Sequence, residues 1–225
     1  MLTDYFLSHG LMFFASGWMQ FGAAFGTAFM IMLLFGRPFI RAMRTWQKRG
    51  QPISENVPVA HRKKAGTPTM GGVLVVFAIL VGAILFMPMH NNLPGWIALI
   101  SLVMFGVLGF ADDYKKVTSQ SKKASNGLSP KMRLIIEGVF VIILAYLINK
   151  TMPPYIPEYS LAIGSGIILP LGLLYYIFAY FVICGGANAT NITDGLDGML
   201  AKLYMPVLVV LVVALYGATR IGFMD

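Results

Sequence analysis

Residues 93–116 read LPGWIALISLVMFGVLGFADDYKK. Nineteen uncharged residues, Leu93 to Ala111, run directly into two aspartates and two lysines. A helix crosses a hydrocarbon core with about 17–25 apolar residues. An ionisable group at a helix centre costs roughly 2.5–3.5 kcal/mol on insertion scales, so the sudden change to charge marks the point where a span meets water. The stretch reads as a transmembrane helix with a charged cytoplasmic or external end.

The pattern recurs on both sides. Leu11 to Gly36, Met70 to Met89, Leu161 to Gly185 and Leu203 to Thr219 are also uncharged and of spanning length or close to it. Leu134 to Ile148 is weaker, because it is shorter and contains Glu137; length alone would allow a buried or re-entrant helix. Of the whole chain 57% is apolar and 12% charged, against roughly 45–50% and about 25% in soluble domains. The expectation is an all-α polytopic membrane protein of about six transmembrane helices, forming a single integral membrane domain over residues 1–225. The first stretch has no basic region before it and is too long for a cleavable signal, so it should remain as an anchor. Cys184 is the only cysteine, which excludes an intramolecular disulfide and reads as a packing residue.

The basic residues decide the orientation. Eight lie between the first two spans, six between the third and fourth, and Lys202 between the fifth and sixth, so 15 of the 17 Lys and Arg share one side. By the positive-inside rule these gaps are cytoplasmic and the amino terminus is outside. Counting Leu134 to Ile148 as a span is what keeps Lys202 on the basic side and Lys150 opposite. A net charge of +8 distributed this way argues for a membrane surface and against nucleic acid. Arg37, Arg41, Arg44 and Lys48 recur at helical spacing, as in a helix continuing out of the first span.

Three polar clusters fall on the cytoplasmic side. Phe110-Ala111-Asp112-Asp113-Tyr114-Lys115-Lys116 ends the third span. Neighbouring residues on a helix point about 100° apart, so the two acids face one point only if the helix ends there; acids and lysines pairing at the interface is the plainer alternative. Ala187 to Gly198, rich in Asn, Thr, Asp and Gly, cannot satisfy its backbone in lipid as a loop and is expected to line a wet cavity or pack on protein. Asp194 and Asp197 could share a face there. Lys63-Lys64-Ala65-Gly66-Thr67-Pro68-Thr69-Met70-Gly71-Gly72 enters the second span with lysines and hydroxyls beside a helix amino terminus. Carboxylates for a hard cation, lysines for phosphate, and Asn and Thr for orientation together fit Mg²⁺-assisted phosphoryl transfer.

Gly66 to Gly72, Gly109 to Lys116 and Asn188 to Gly198 resemble, in order and spacing, three motifs of the phospho-N-acetylmuramoyl-pentapeptide transferases. That resemblance implies transfer of phospho-MurNAc-pentapeptide from UDP-MurNAc-pentapeptide to undecaprenyl phosphate, yielding lipid I and UMP with Mg²⁺, in the cytoplasmic (inner) membrane of a bacterium. By the resemblance, Asp112, Asp113 and Asp194 are the catalytic acids, with Asp112 the candidate for activating the lipid phosphate and its role as base or metal ligand left open. Lys64, Thr69, Asn191 and Asp194 would line the nucleotide-sugar site. Gly195 would belong to the same substrate site, and Leu196 and Asp197 would approach the uracil. Asp112, Asp113 and the Asn191 amide oxygen are the candidate metal ligands.

The family is about ten spans long and carries, further along, another acidic residue and a histidine-rich motif that this sequence lacks; the expectation is a fragment or a truncated product, doubtfully active alone. Two other readings stand beside this one. A sister enzyme would move N-acetylglucosamine-1-phosphate to the same lipid. A non-catalytic transporter or scaffold would need a polar path across the bilayer, and Glu137 is the only charge within the apolar stretches. Gly22 and Gly26 form a G-x-x-x-G pair that suits close helix packing within one chain or a homodimer.

Overall fold

The computed structural model describes residues 2–10, 16–47, 68–88, 92–118, 127–163, 167–193 and 198–220. The elements are α1 (Leu2–Ser8), α2 (Gly17–Trp46), α3 (Gly72–Phe86), α4 (Leu93–Thr118), α5 (Pro130–Asn149), β1 (Ser160–Ile163), β2 (Ile167–Pro170), α6 (Leu174–Thr193) and α7 (Met199–Arg220). From α2 onward each helix packs on the next one in sequence. The architecture is that of an all-α membrane protein, with one short hairpin.

By length and composition α2, α4 and α5 are long and apolar enough to cross a membrane. α5 is the weak fourth stretch. Ser129 caps it, its hydroxyl accepting from the Met132 amide at 3.2 Å, and Pro130 opens its first turn. These residues extend the helix before Leu134 to a total of 20 residues. α2 runs for 30 residues, about 45 Å at 1.5 Å per residue, carrying the helix through Arg37, Arg41 and Arg44 as their spacing suggests.

Two expected spans come out differently. α3 has 15 residues, shorter than the stretch from Met70 to Met89, because Pro68 to Met70 is non-helical and Met87 turns to an extended conformation. In the fifth stretch, residues 160–170 form an antiparallel hairpin, with Ser160 opposite Pro170 and Ile163 opposite Ile167, and the helix starts only at Leu174. Two short apolar runs separated by Gly164-Ser165-Gly166 are a hairpin signal that run length alone overlooks. The last helix, α7, runs 22 residues from Met199 to Arg220 and takes in the whole stretch from Leu203 to Thr219.

Few side chains are buried among the described residues. Val141, Ala145, Tyr175, Ala179 and Cys184 join α5 to α6. Cys184 is thus the packing residue expected. Large apolar side chains point outward, as Phe25 and Leu34 do at 61% exposure each, the arrangement expected where lipid is the solvent. α2 and α3 approach closely at Gly82, where a Cβ would stand 2.5 Å from the Ala24 carbonyl oxygen. At Gly22 and Gly26 a Cβ would meet nothing within 4 Å.

Candidate active site

The helix α4 does not stop at the two aspartates; it continues to Thr118. Both acids nonetheless reach one point, because Lys116 lies three and four residues further along the same helix. Its ammonium is 2.5 Å from Oδ2 of Asp112 and 3.4 Å from Oδ1 of Asp113. The flexible lysine stem bridges the angle that separates the two acids. The plain pairing of acid with lysine therefore occurs, yet it builds a site, because each aspartate's remaining oxygen is held by a different segment.

Oδ1 of Asp112 accepts from the backbone amide of Leu128 at 2.7 Å. This contact needs Gly127, since a Cβ there would land on the Asp112 carboxylate. Oδ2 of Asp113 accepts from the Thr69 hydroxyl at 2.6 Å. Thr69 is itself clamped by Gln47, 3% exposed just past the end of α2: its side-chain amide donates to the Thr69 carbonyl at 3.0 Å and accepts from the Thr69 amide at 2.8 Å. The next residue, Met70, is buried with φ +70, a left-handed conformation uncommon for a side-chain-bearing residue. α3 starts two residues later with no side-chain cap.

Asp112 follows Ala111, the last apolar residue of its span. Burial by itself would raise its carboxyl, but the Lys116 and Leu128 hydrogen bonds and the charges of Lys116 and Arg133 outweigh burial and hold it below its ordinary 3.8. Burial would lower Lys116, and the two aspartates overcome it and raise the ammonium above its ordinary 10.5.

Asp112, Asp113, Lys116 and Arg133 stand at the polar end of an open cavity of about 720 Å³. Its apolar wall comes from α3 and α4, with Val76, Leu80 and Val103 along it; Thr190 and Asn191 of α6 and Leu200 of α7 close another side. Ala187 to Thr193 is therefore not a loop but the last turns of α6. Three of its polar side chains bond to the preceding turn: Thr190 and Thr193 donate to the Gly186 and Ala189 carbonyls at 2.8 Å each, and Asn188 to that of Cys184 at 2.9 Å. Thr190 also hydrogen-bonds the Tyr204 hydroxyl of α7.

Thus Asp112, Asp113 and Asn191 line one cavity, and Thr69 joins them through its bond to Asp113. Lys64, Asp194, Gly195, Leu196 and Asp197 lie outside the described residues. Gln47, Lys116, Arg133, Glu137 and Asn188 were not among the expected site residues. The i, i+3 and i, i+4 spacing of Asp113 and Asp112 to Lys116, and of Arg133 to Glu137, is the signal that could have found these three contacts. Nothing local points to Gln47.

Among the described residues no group of three or more His, Cys, Asp or Glu converges as a metal cage. Two carboxylates do converge on one cation, the Lys116 ammonium, and Asn191 lines the same cavity from another side. Hard oxygen donors in that number fit Mg²⁺, which is held by one or two carboxylates together with substrate phosphates rather than by a full protein cage.

Residues 95–224 match glycosyl transferase family 4. Residues 64–76 match phospho-N-acetylmuramoyl-pentapeptide-transferase signature 1. Two relatives named phospho-N-acetylmuramoyl-pentapeptide-transferase, from Ruegeria pomeroyi and from a second Ruegeria strain, are 40% and 38% identical to this chain over 205 residues. Those alignments cover 91% of this chain and 56% of each relative, so the chain spans little more than half their length.

Proposed function

Since this chain belongs to glycosyl transferase family 4, we propose that the complete protein is a phosphoglycosyl transferase that moves phospho-MurNAc-pentapeptide from UDP-MurNAc-pentapeptide to undecaprenyl phosphate. The products are lipid I and UMP. The observation that carries this reading is the cavity that joins an apolar wall to an acidic and basic end. An isoprenoid phosphate presents the same two chemistries, a hydrocarbon chain and a phosphate head. The names of the relatives and the matched signature favour the muramoyl donor over N-acetylglucosamine.

In the transfer, an oxygen of the lipid phosphate forms a bond to the sugar-bearing phosphorus while the bond from that phosphorus to the UMP oxygen breaks. A phosphate monoester has a second pKa of about 6, so the nucleophile is largely dianionic at neutral pH and needs no strong base. Asp112, held below its ordinary pKa, is a weak base. It suits placing and holding charge better than removing a proton. Lys116 and Arg133 offset negative charge on the phosphates, while Thr69 fixes the direction of Asp113 and Asn191 orients the donor. Lys64 and Asp194 to Asp197 would complete the donor site. Mg²⁺, held by Asp112, Asp113 and Asn191, would neutralise diphosphate charge.

The same reading has the acidic end facing the cytoplasm in a multi-pass protein of the bacterial inner membrane, with the amino terminus outside. A homodimer fits it, because packing against the described part of this chain does not account for Gly22 and Gly26.

The test is transfer by the complete protein in proteoliposomes, with donor labelled in the sugar and UMP release followed in parallel. Asp112→Asn, Asp113→Asn and Asp194→Asn should each lower transfer by roughly a hundredfold or more while the protein still inserts. Full activity in all three removes the site assignment. Label reaching lipid only from UDP-N-acetylglucosamine assigns the sister reaction, and solute flux without any transfer assigns a transporter.

A further inference from the structure

Glu137 is completely buried, 0% exposed, within the apolar helix α5. Both of its oxygens are engaged: Oε1 accepts from Nε of Arg133 at 2.8 Å, and Oε2 accepts from Nδ2 of Asn188 at 2.7 Å. A carboxylate so far from water persists only when paired and hydrogen-bonded. Packing alone does not call for it, since Val141 and Ala145, further along the same helix, join α5 to α6 without polar atoms.

Both partners lead to the cavity. Arg133, one turn before Glu137, lines the cavity and contributes to the charge felt by Asp112. The bond to Glu137 uses Nε and leaves the two terminal guanidinium nitrogens outside that bond. Asn188 also donates to the Cys184 carbonyl, so its amide is held from two directions. It lies beside Ala187 and three residues before Asn191, both of which line the cavity.

We propose that Glu137 is a positioning residue for transfer: its buried carboxylate, anchored on α6 by Asn188, aims the Arg133 guanidinium at the diphosphate of the donor. This rests on the diphosphate reading of the site. A fixed guanidinium fork suits phosphate oxygens, and its loss weakens binding of the donor more than it slows the bond exchange.

The test compares Glu137→Gln, Arg133→Met and the double variant in the complete protein, reading kcat and the donor KM together with Tm. Glu137→Gln should raise the donor KM roughly tenfold with kcat within about twofold, and the double variant should be no worse in KM than Arg133→Met alone. A donor KM within twofold of wild type in Glu137→Gln, with only Tm lowered, overturns the proposal. So do single effects that multiply in the double variant. If Glu137→Gln does not accumulate in the membrane, Arg133→Lys decides: it keeps the charge without the fork, so an unchanged donor KM overturns the proposal and a roughly tenfold rise supports it. Wild-type protein in the same preparation separates the two levels, because absent wild-type transfer overturns the reading beneath, whereas wild-type transfer with an unmoved KM overturns the role of Glu137 alone.

Discussion

Thr69 donates its hydroxyl to Oδ2 of Asp113 at 2.6 Å across 44 positions of sequence. One residue sits just before α3 and the other near the end of α4, so this bond joins two of the three polar clusters. It also leaves Asp113 with one oxygen on a neutral donor and the other toward a cation.

Removing the hydroxyl should therefore misdirect Asp113 without deleting its charge. Thr69→Val, nearly the same shape, is expected to reduce kcat roughly tenfold, a hydrogen bond to a charged group contributing about 1.5–3 kcal/mol. Thr69→Ser should retain most activity. Equal rates in Thr69→Val and wild type would mean that the bond has no part in transfer.

Gln47 makes a sharper case, because its amide both donates to and accepts from the backbone of Thr69. Gln47→Leu leaves a backbone N–H and C=O in a half-buried place without partners. The expected loss is about 1–3 kcal/mol of stability, visible as a lower Tm in detergent, together with a fall in transfer like that of Thr69→Val. Gln47→Glu should behave similarly, since a carboxylate cannot donate to the Thr69 carbonyl.

The pair Asp112 and Lys116 sets a pH window. The Asp112 carboxyl is lowered in the folded protein, so its contribution to stability is present above its ordinary 3.8 and is lost as pH falls through the lower folded value. Lys116 is raised, so its contribution is present below 10.5 and is lost as pH rises through the higher folded value. This pair should contribute evenly to Tm between about pH 5 and 9. Lys116→Met should flatten the acid-side loss, and a steep loss of the pair's contribution near neutrality would contradict the assignment.

Gly82 tests the helix packing rather than the chemistry. A Cβ there would stand 2.5 Å from the backbone oxygen of Ala24, which cannot move without shifting α2. Gly82→Ala is expected to destabilise by roughly 1–3 kcal/mol, the usual cost of overpacking. Gly22→Ala, which meets nothing within 4 Å, should not affect packing inside the chain. Loss of Tm in the second variant alone would reverse this account.

Much of the site was legible from residue type and order. Asp112 and Asp113 stand out because acids are scarce beside apolar runs, and Thr69 and Asn191 because hydroxyls and amides are concentrated where spans end. What misled was treating polarity as a sign of loop: Ala187 to Thr193 is helical, since Asn188, Thr190 and Thr193 hydrogen-bond to carbonyls of the preceding turn. The hairpin before α6 was hidden for the opposite reason. Its residues are as apolar as a span, and only the Gly-Ser-Gly between them points to two strands.

The sequence alone determined that the chain belongs in a membrane, roughly where its apolar segments begin and end, and which polar residues gather at the ends of those segments. Run length, charge position and short motifs are local properties, and the bilayer imposes the same length and charge rules on every span. Only the tertiary structure decided that Asp113 meets Thr69, that Asp112 meets the amide of Leu128, and that Glu137 ties Arg133 to Asn188. Those contacts depend on how each helix is rotated and where it touches its neighbour. That is fixed by packing between small groups such as Gly82 and Ala24, and no single segment carries the information.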